Sequence, residues 1–160
     1  MDNKKFEQLI NKEDYQVFLF RSPCSFPVIF VSHLWFVVNK KGVLSRWEVT
    51  HHKIAKGEKN WGHIVLNFLP PFSGLRIIPF YARKHFKAQL LGNIESGENG
   101  VAGRIINFIE NSPNTYKYRD TYHFIGPNSN TYAEWVLGNF KEFQVMLPRN
   151  ALGKNHKIKS

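Results

Sequence analysis

The densest run of apolar positions lies at residues 28–42, VIFVSHLWFVVNKKG, and its β-branched and aromatic side chains predict a strand. Alternation places Val31, His33, Trp35 and Val37 on one face and Ser32, Leu34, Phe36 and Val38 on the other. Both faces are mainly apolar, so the strand is expected to be central or covered on both sides. Lys40, Lys41 and Gly42 end it, and residues 43–49 read as the returning strand of a hairpin.

Helical spacing appears in three other places. Phe6, Leu9 and Ile10 group within the first dozen residues, and Pro23 and Pro27 then impose an irregular entry into the strand. Val101, Ile105, Ile106, Phe108 and Ile109 form one broad stripe that Pro113 stops. A last helix is expected to start around residues 129–131, to carry Tyr132, Trp135, Val136 and Leu137, and to end near Gly138. Between these, residues 50–79 resist assignment to one element, because Pro70, Pro71 and Gly74 break any regular pattern. Extended structure is expected over 75–80 and 86–94, and Tyr116, Tyr118 and Tyr122 lead into a short strand or ordered loop. The pattern predicts a single compact domain of α/β or α+β class over residues 1–160, with a helical extension at about 1–15 and an exposed basic tail at about 149–160.

Composition narrows the class. Hydrophobic residues make up 42% and charged residues 21%, which is globular usage, and the 15% aromatic content is expected in the core. The formal charge of +10 favours anionic partners such as a membrane face. The basic residues are spread along the chain without a helix-turn-helix, finger or RNA-binding signature, so specific nucleic-acid binding is not expected. Cys24 is the sole cysteine, which excludes an internal disulfide and a cysteine zinc cluster. In RSPCSFP it reads as a small buried or loop residue. The neighbours His51 and His52 project to different sides if extended, and no Walker, Rossmann or HExxH pattern occurs, so neither metal nor cofactor is expected. With no signal-peptide apolar region and no membrane-spanning run, a soluble cytoplasmic protein is expected, although a non-classical export route leaves no mark in a sequence.

The segment GPNSNTYAEW at 126–135 concentrates the candidate chemistry. Gly126 and Pro127 force a turn just before Asn128, Ser129 and Asn130 at an apparent helix start. Free backbone amides there would stabilise an oxyanion, but a hydroxyl also needs a base to become a nucleophile. His33, in the middle of an apolar strand, is the candidate base, and Glu48 on the neighbouring strand is the candidate group to orient it. Asn128 and Asn130 are candidate oxyanion donors, and His123 is a secondary pocket candidate. The alternative is structural: Thr131 and Glu134 fit a capping box, which would leave Ser129 as a residue that ties down the turn and His33 as a satisfied structural histidine.

The block GPNSNTYAEWV, with SHLWFVV, SRWEV and LPRNALGKN, resembles the uncharacterised DUF3750 family over about residues 28–155. More distantly, the order of these motifs is similar to circularly permuted papain-like NlpC/P60 proteins, including the lecithin-retinol acyltransferase group. That resemblance implies a permuted papain-like α+β fold with an antiparallel sheet packed against helices. It implies His33 as base, Glu48 as orienting residue, and Asn128 and Ser129 in the places of an asparagine-cysteine pair, with Tyr132 and Trp135 packing the helix. The implied activity is hydrolysis or acyl transfer on a small-molecule, peptide or lipid-like substrate. The departure is that serine stands where those enzymes have cysteine, and a hydroxyl ionises far less readily than a thiol. A non-catalytic binding domain with the same pocket is therefore the alternative expectation.

Overall fold

A computed structural model describes residues 3–51, 62–78 and 84–156. His52, the end of the extended run expected at 75–80, and residues 157–160 of the basic tail lie outside the described residues.

The chain builds an antiparallel sheet with helices, an α+β architecture. Helix α1 (Asn3–Glu7) precedes strands β1 (Tyr15–Pro23), β2 (Ser32–Lys40), β3 (Val43–His51) and β4 (Gly62–Leu66). Strands β5 (Ser73–Arg76), β6 (His85–Lys87) and β7 (Gln89–Ser96) follow, and then helices α2 (Val101–Glu110), α3 (Ser112–Thr115) and α4 (Ser129–Asn139). The main sheet has the order β4-β3-β2-β1-β7, and β5 with β6 forms a separate two-stranded sheet. Among the described residues no helix is long and apolar enough to cross a membrane.

The expected hairpin forms β2 and β3, with Lys40 opposite Val43. Its two-residue turn needs positive φ at both positions, and Lys41 has φ 49° and Gly42 φ 89°. β2 is central and buried along nearly its whole length, as its two apolar faces require. On one face Leu34, Phe36 and Val38 join Val17 and Leu19 of β1 beneath α2 and α4. On the other, Trp35 and Val37 join Phe18, Phe20, Phe6 and Phe72 in a smaller aromatic core.

β1 was not expected from the sequence, where Pro23 and Pro27 suggested irregular chain before β2. Pro23 instead closes a strand whose Val17 and Leu19 serve one core and whose Phe18 and Phe20 serve the other. A proline is tolerated there because it stands at the strand's last position. The stripe at 101–109 is realised as α2, which buries Ala102, Ile105, Ile106 and Ile109.

Helix α4 lies across β2 and β3 on the larger core, where Tyr132 meets Phe36 edge to face at 6.1 Å. Phe36 is fully buried, so Phe36→Ala is expected to lower stability by about 3–5 kcal/mol in urea unfolding followed by tryptophan fluorescence. A loss under about 1 kcal/mol would contradict this packing.

Candidate functional site

At the site's base, Arg46 and Glu48 on β3 point to the same side of the strand because they are two residues apart. Both side chains have 0% relative exposure. Arg46 Nε donates to Glu48 Oε1 at 2.7 Å and its terminal nitrogen to Oε2 at 2.9 Å, a bidentate pair. Its remaining terminal nitrogen donates to the Pro70 carbonyl at 3.0 Å and to the Ser73 carbonyl. The guanidinium also lies 4.2 Å over the Trp35 ring. The Pro70–Pro71 break, opaque as sequence, thus supplies carbonyls that solvate a buried cation.

Glu48 passes this constraint to β2. Its Oε2 lies 2.6 Å from His33 Nε2, and the His33 ring stacks beside Trp35. With Nε2–H donating to the carboxylate, Nδ1 is left with a lone pair. Burial raises the Glu48 carboxyl, but the bonds and charges of His33 and Arg46 outweigh it and hold the group below its ordinary range. Burial likewise works against the charge on Arg46 and lowers the guanidinium below its ordinary range, and Glu48 opposes that shift only in part.

The registered pairing of β2 with β3 runs from Lys40 and Val43 to Phe36 and Trp47. Beyond it, Ser32 and His33 of β2 and Thr50 and His51 of β3 border a cavity of about 500 Å³. Ser129, Asn128 and Asn130 border the same cavity from the start of α4. His33 shares its strand face with Trp35 and Val37, and both it and Ser129 border the cavity. Among the described residues no hydrogen bond joins them directly.

The first turn of α4 buries four consecutive polar residues, Asn128 to Thr131. Asn128 is the N-cap: its side-chain oxygen accepts from the amides of Asn130 at 2.9 Å and Thr131 at 3.3 Å. Thr131 Oγ1 accepts from the Asn128 amide at 3.2 Å, which completes the capping box. This corrects the expected box of Thr131 with Glu134. The cap lies three residues earlier, Glu134 is exposed, and Ser129 becomes the first helical residue rather than one outside the helix.

The chain after β7 and the helices returns to lock this turn. Asn130 Nδ2 donates to the carbonyls of Ser32 at 2.9 Å and Leu152 at 2.8 Å, and Thr131 Oγ1 donates to the Gly153 carbonyl at 2.7 Å. Asn128 Nδ2 donates to the Phe124 and Leu152 carbonyls, each at 3.0 Å. Gly153 has φ 89°, and a Cβ there would lie 2.7 Å from Asn128 Nδ2, so glycine alone fits. The expectation of an exposed tail therefore fails for 151–154: Ala151 is 1% exposed and its neighbours are the outer wall of the turn. The amide NH2 groups of Asn128 and Asn130 are engaged by these backbone carbonyls. The backbone amide of Ser129, at the first helical position, is the terminal donor that Asn128 does not take.

Ser129 is the one member of the four whose side chain takes no part in this lock. Its hydroxyl lies against the Tyr122 phenol. Burial, together with Cys24 and Glu48, drives that phenol far above its ordinary range, and the Ser129 contact opposes the shift only in part. His123 is exposed, does not border the cavity, and serves the turn through its backbone amide and carbonyl. Among the described residues no group of three metal-binding side chains assembles. Sequence reasoning passed over Arg46, Thr50 and Tyr122 and placed Cys24 only as a loop or core residue. Opposite charges two apart on a strand, Arg46 and Glu48, were the legible signal for an inward-facing pair.

Because the Glu48 value is depressed in the fold, its stabilising contribution is complete above the ordinary carboxylate range and is lost as pH falls through the folded value. Glu48→Gln is expected to remove this acid dependence and to cost about 3–5 kcal/mol at neutral pH, since Arg46 is left buried without its partner. Denaturant unfolding across an acid series reads both effects. Cys24 borders the same cavity, and burial pushes its thiol up to about 11. Its alkylation by iodoacetamide is expected to rise about tenfold per pH unit from about pH 7 to about pH 10 without levelling. A plateau near neutrality would mean an activated thiolate.

No curated protein and no solved structure matches the chain. The family described as "Protein of unknown function (DUF3750)" matches residues 14–156, from the start of the sheet to the segment that locks the α4 turn. With nearly the whole described domain inside that match, the chain belongs to the DUF3750 family.

Proposed function

We propose that the protein is a hydrolase or acyltransferase on a permuted papain-like fold, with Ser129 as nucleophile, His33 as general base and Glu48 as the group that orients the imidazole. The observation that carries this reading is the buried Arg46–Glu48–His33 chain, which ends at the cavity that Ser129 also borders. The order of parts supports the fold: a histidine strand, a carboxylate strand, and a later helix opening with Asn128 and Ser129.

In the first step Ser129 Oγ bonds to an acyl carbon while its proton passes to His33 Nδ1. The carbonyl electrons move onto oxygen, against the Ser129 backbone amide and the positive end of α4. When the intermediate collapses, the leaving amine or alcohol departs with the proton from His33. Water or an acceptor alcohol then repeats the sequence and frees Ser129. Glu48 keeps the imidazole in one tautomer and stabilises its protonated form, and Arg46 keeps Glu48 ionised. Substrate entry has to bring Ser129 and His33 into proton-transfer reach across the cavity, a tightening common between free and bound sites. The apolar walls, Val28, Val31, Leu69 and Leu75, suit an acyl chain.

A non-catalytic binding domain is the second reading, favoured by the contact of Ser129 with Tyr122 rather than with His33. Intact-mass labelling with acyl-phosphonate probes separates the two. The native chain is expected to gain one probe mass, Ser129→Ala to gain none, and His33→Ala to label at least about 100-fold more slowly. Equal labelling of all three, or none of the native chain by any acyl probe, would leave the binding reading.

A further inference from the structure

Among the described residues, exposed large hydrophobic side chains gather at the cavity mouth. Of the eleven exposed large hydrophobic side chains among the described residues, all but Leu9, Val43 and Met146 lie on three segments that wall the cavity. The β1–β2 connection, which contributes Cys24 and Val28 to the wall, turns Phe26, Ile29 and Phe30 outward. The segment from Leu66 to Ile78 contributes Leu69 and Leu75 and presents Leu66, Phe68 and Ile78. The turn before α4 adds Phe124 and Ile125, the latter 75% exposed.

The first two segments are tied together, and Phe124 of the third borders the same cavity. The Phe26 amide donates to the Ile77 carbonyl at 2.9 Å, and Ser25 Oγ donates to the Arg76 carbonyl at 2.6 Å. Asn150 Nδ2 donates to the Phe30 carbonyl at 2.8 Å, which brings the chain after α4 to the same edge. A folded soluble surface rarely gathers its exposed aromatic and branched side chains around one opening without a partner for them.

The charge of the rim identifies the partner. Residues 24–31, 62–78, 121–131 and 143–156 contain no Asp or Glu. They carry Arg76, Arg149 and Lys154, and the exposed Lys84 joins them through the bond from the Ile77 amide to its carbonyl. Arg76 and Arg149 are exposed and form no ion pair among the described residues. An acid-free basic border around protruding Phe and Ile side chains matches a surface that is negative outside and hydrocarbon within. A water-soluble acidic partner would satisfy the charges and leave the rings unburied.

We propose that this rim docks on an anionic lipid bilayer, with Phe26, Phe30, Phe124 and Ile125 inserted among the acyl chains and Arg76, Lys84 and Arg149 at headgroup level. The cavity then opens toward the membrane, and a ligand with an acyl chain enters it without crossing water. Docking stands on the surface alone and is independent of the chemistry assigned to Ser129.

The test is co-sedimentation of the full chain with vesicles of phosphatidylcholine alone and of phosphatidylcholine with phosphatidylglycerol, over a salt series. Binding is expected to the phosphatidylglycerol vesicles, to weaken as salt rises, and to be slight with phosphatidylcholine alone. Phe30→Ser and Ile125→Ser change exposed residues outside both cores, and each is expected to weaken partition about tenfold. Arg76→Gln with Lys84→Gln is expected to reduce the salt dependence. Failure of the native chain to bind phosphatidylglycerol vesicles at low salt would overturn the proposal, as would equal partition of the native and serine-substituted chains. Self-association in sedimentation velocity that Phe30→Ser abolishes, without vesicle binding, would assign the rim to a second copy. Because partition needs no turnover, a chain inert toward acyl probes would still bind, so the two proposals fail separately.

Discussion

The structure depends on a charge pair that has no access to water. Taking a guanidinium and a carboxylate out of solvent costs several kcal/mol per ion, and the cost is offset only where geometry and further hydrogen bonds are good. Arg46 and Glu48 meet that condition through two parallel bonds, two loop carbonyls and the face of Trp35. The requirement has reach. It holds the 70–73 chain against β3, which seats Phe72 in the aromatic core, and it holds His33 on β2 through the second carboxylate oxygen. One ionic pair therefore joins two strands, an irregular loop and the imidazole.

A second lock works at the other side of the cavity. Asn128, Asn130 and Thr131 are bound to carbonyls on the 123–124 turn, on β2 and on residues 152–153. β2 and residues 152–153, both distant in sequence, thus meet the opening turn of α4, and the side-chain amides of Asn128 and Asn130 are each held by backbone carbonyls there. Ser129 is the exception within this run, since its side chain is not used for the lock. A small hydroxyl buried at a helix N-terminus, next to the cavity and outside the supporting network, stands across from the end of the Arg46–Glu48–His33 chain. Between the two locks the sheet has parted, and the functional space lies in that gap.

How much of this was legible follows from how local the signal is. The β2–β3 hairpin and α2 could be read because alternation, a two-residue turn and an i, i+3, i+4 stripe are written in neighbouring residues. β1 was missed although its Val17–Phe20 run is apolar, because Pro23 and Pro27 dominate the local pattern and only pairing with both β2 and β7 makes the segment a central strand. The cap was misplaced by three residues for a related reason. Thr131 and Glu134 form a valid box in one dimension, but Thr131 is engaged with Gly153 and Asn128, so the asparagine caps. The role of residues 150–153 in holding the α4 turn was invisible, since a short segment carries no sign of what it will cover.

By itself the sequence determined which side chains of β2 and α2 face the cores, where the main hairpin turns, and which residues are fit for acid-base or nucleophilic work. These follow from periodicity, backbone preference and the chemistry of single groups, all of which act over a few residues. Tertiary structure alone decided that His33 meets Glu48, that Arg46 stands behind them, that the asparagine side chains tie the α4 turn to distant carbonyls, and that exposed Phe and Ile side chains gather around one basic opening. Those facts depend on contacts between residues many positions apart. Their cost and gain are set by burial and geometry, which no local pattern contains.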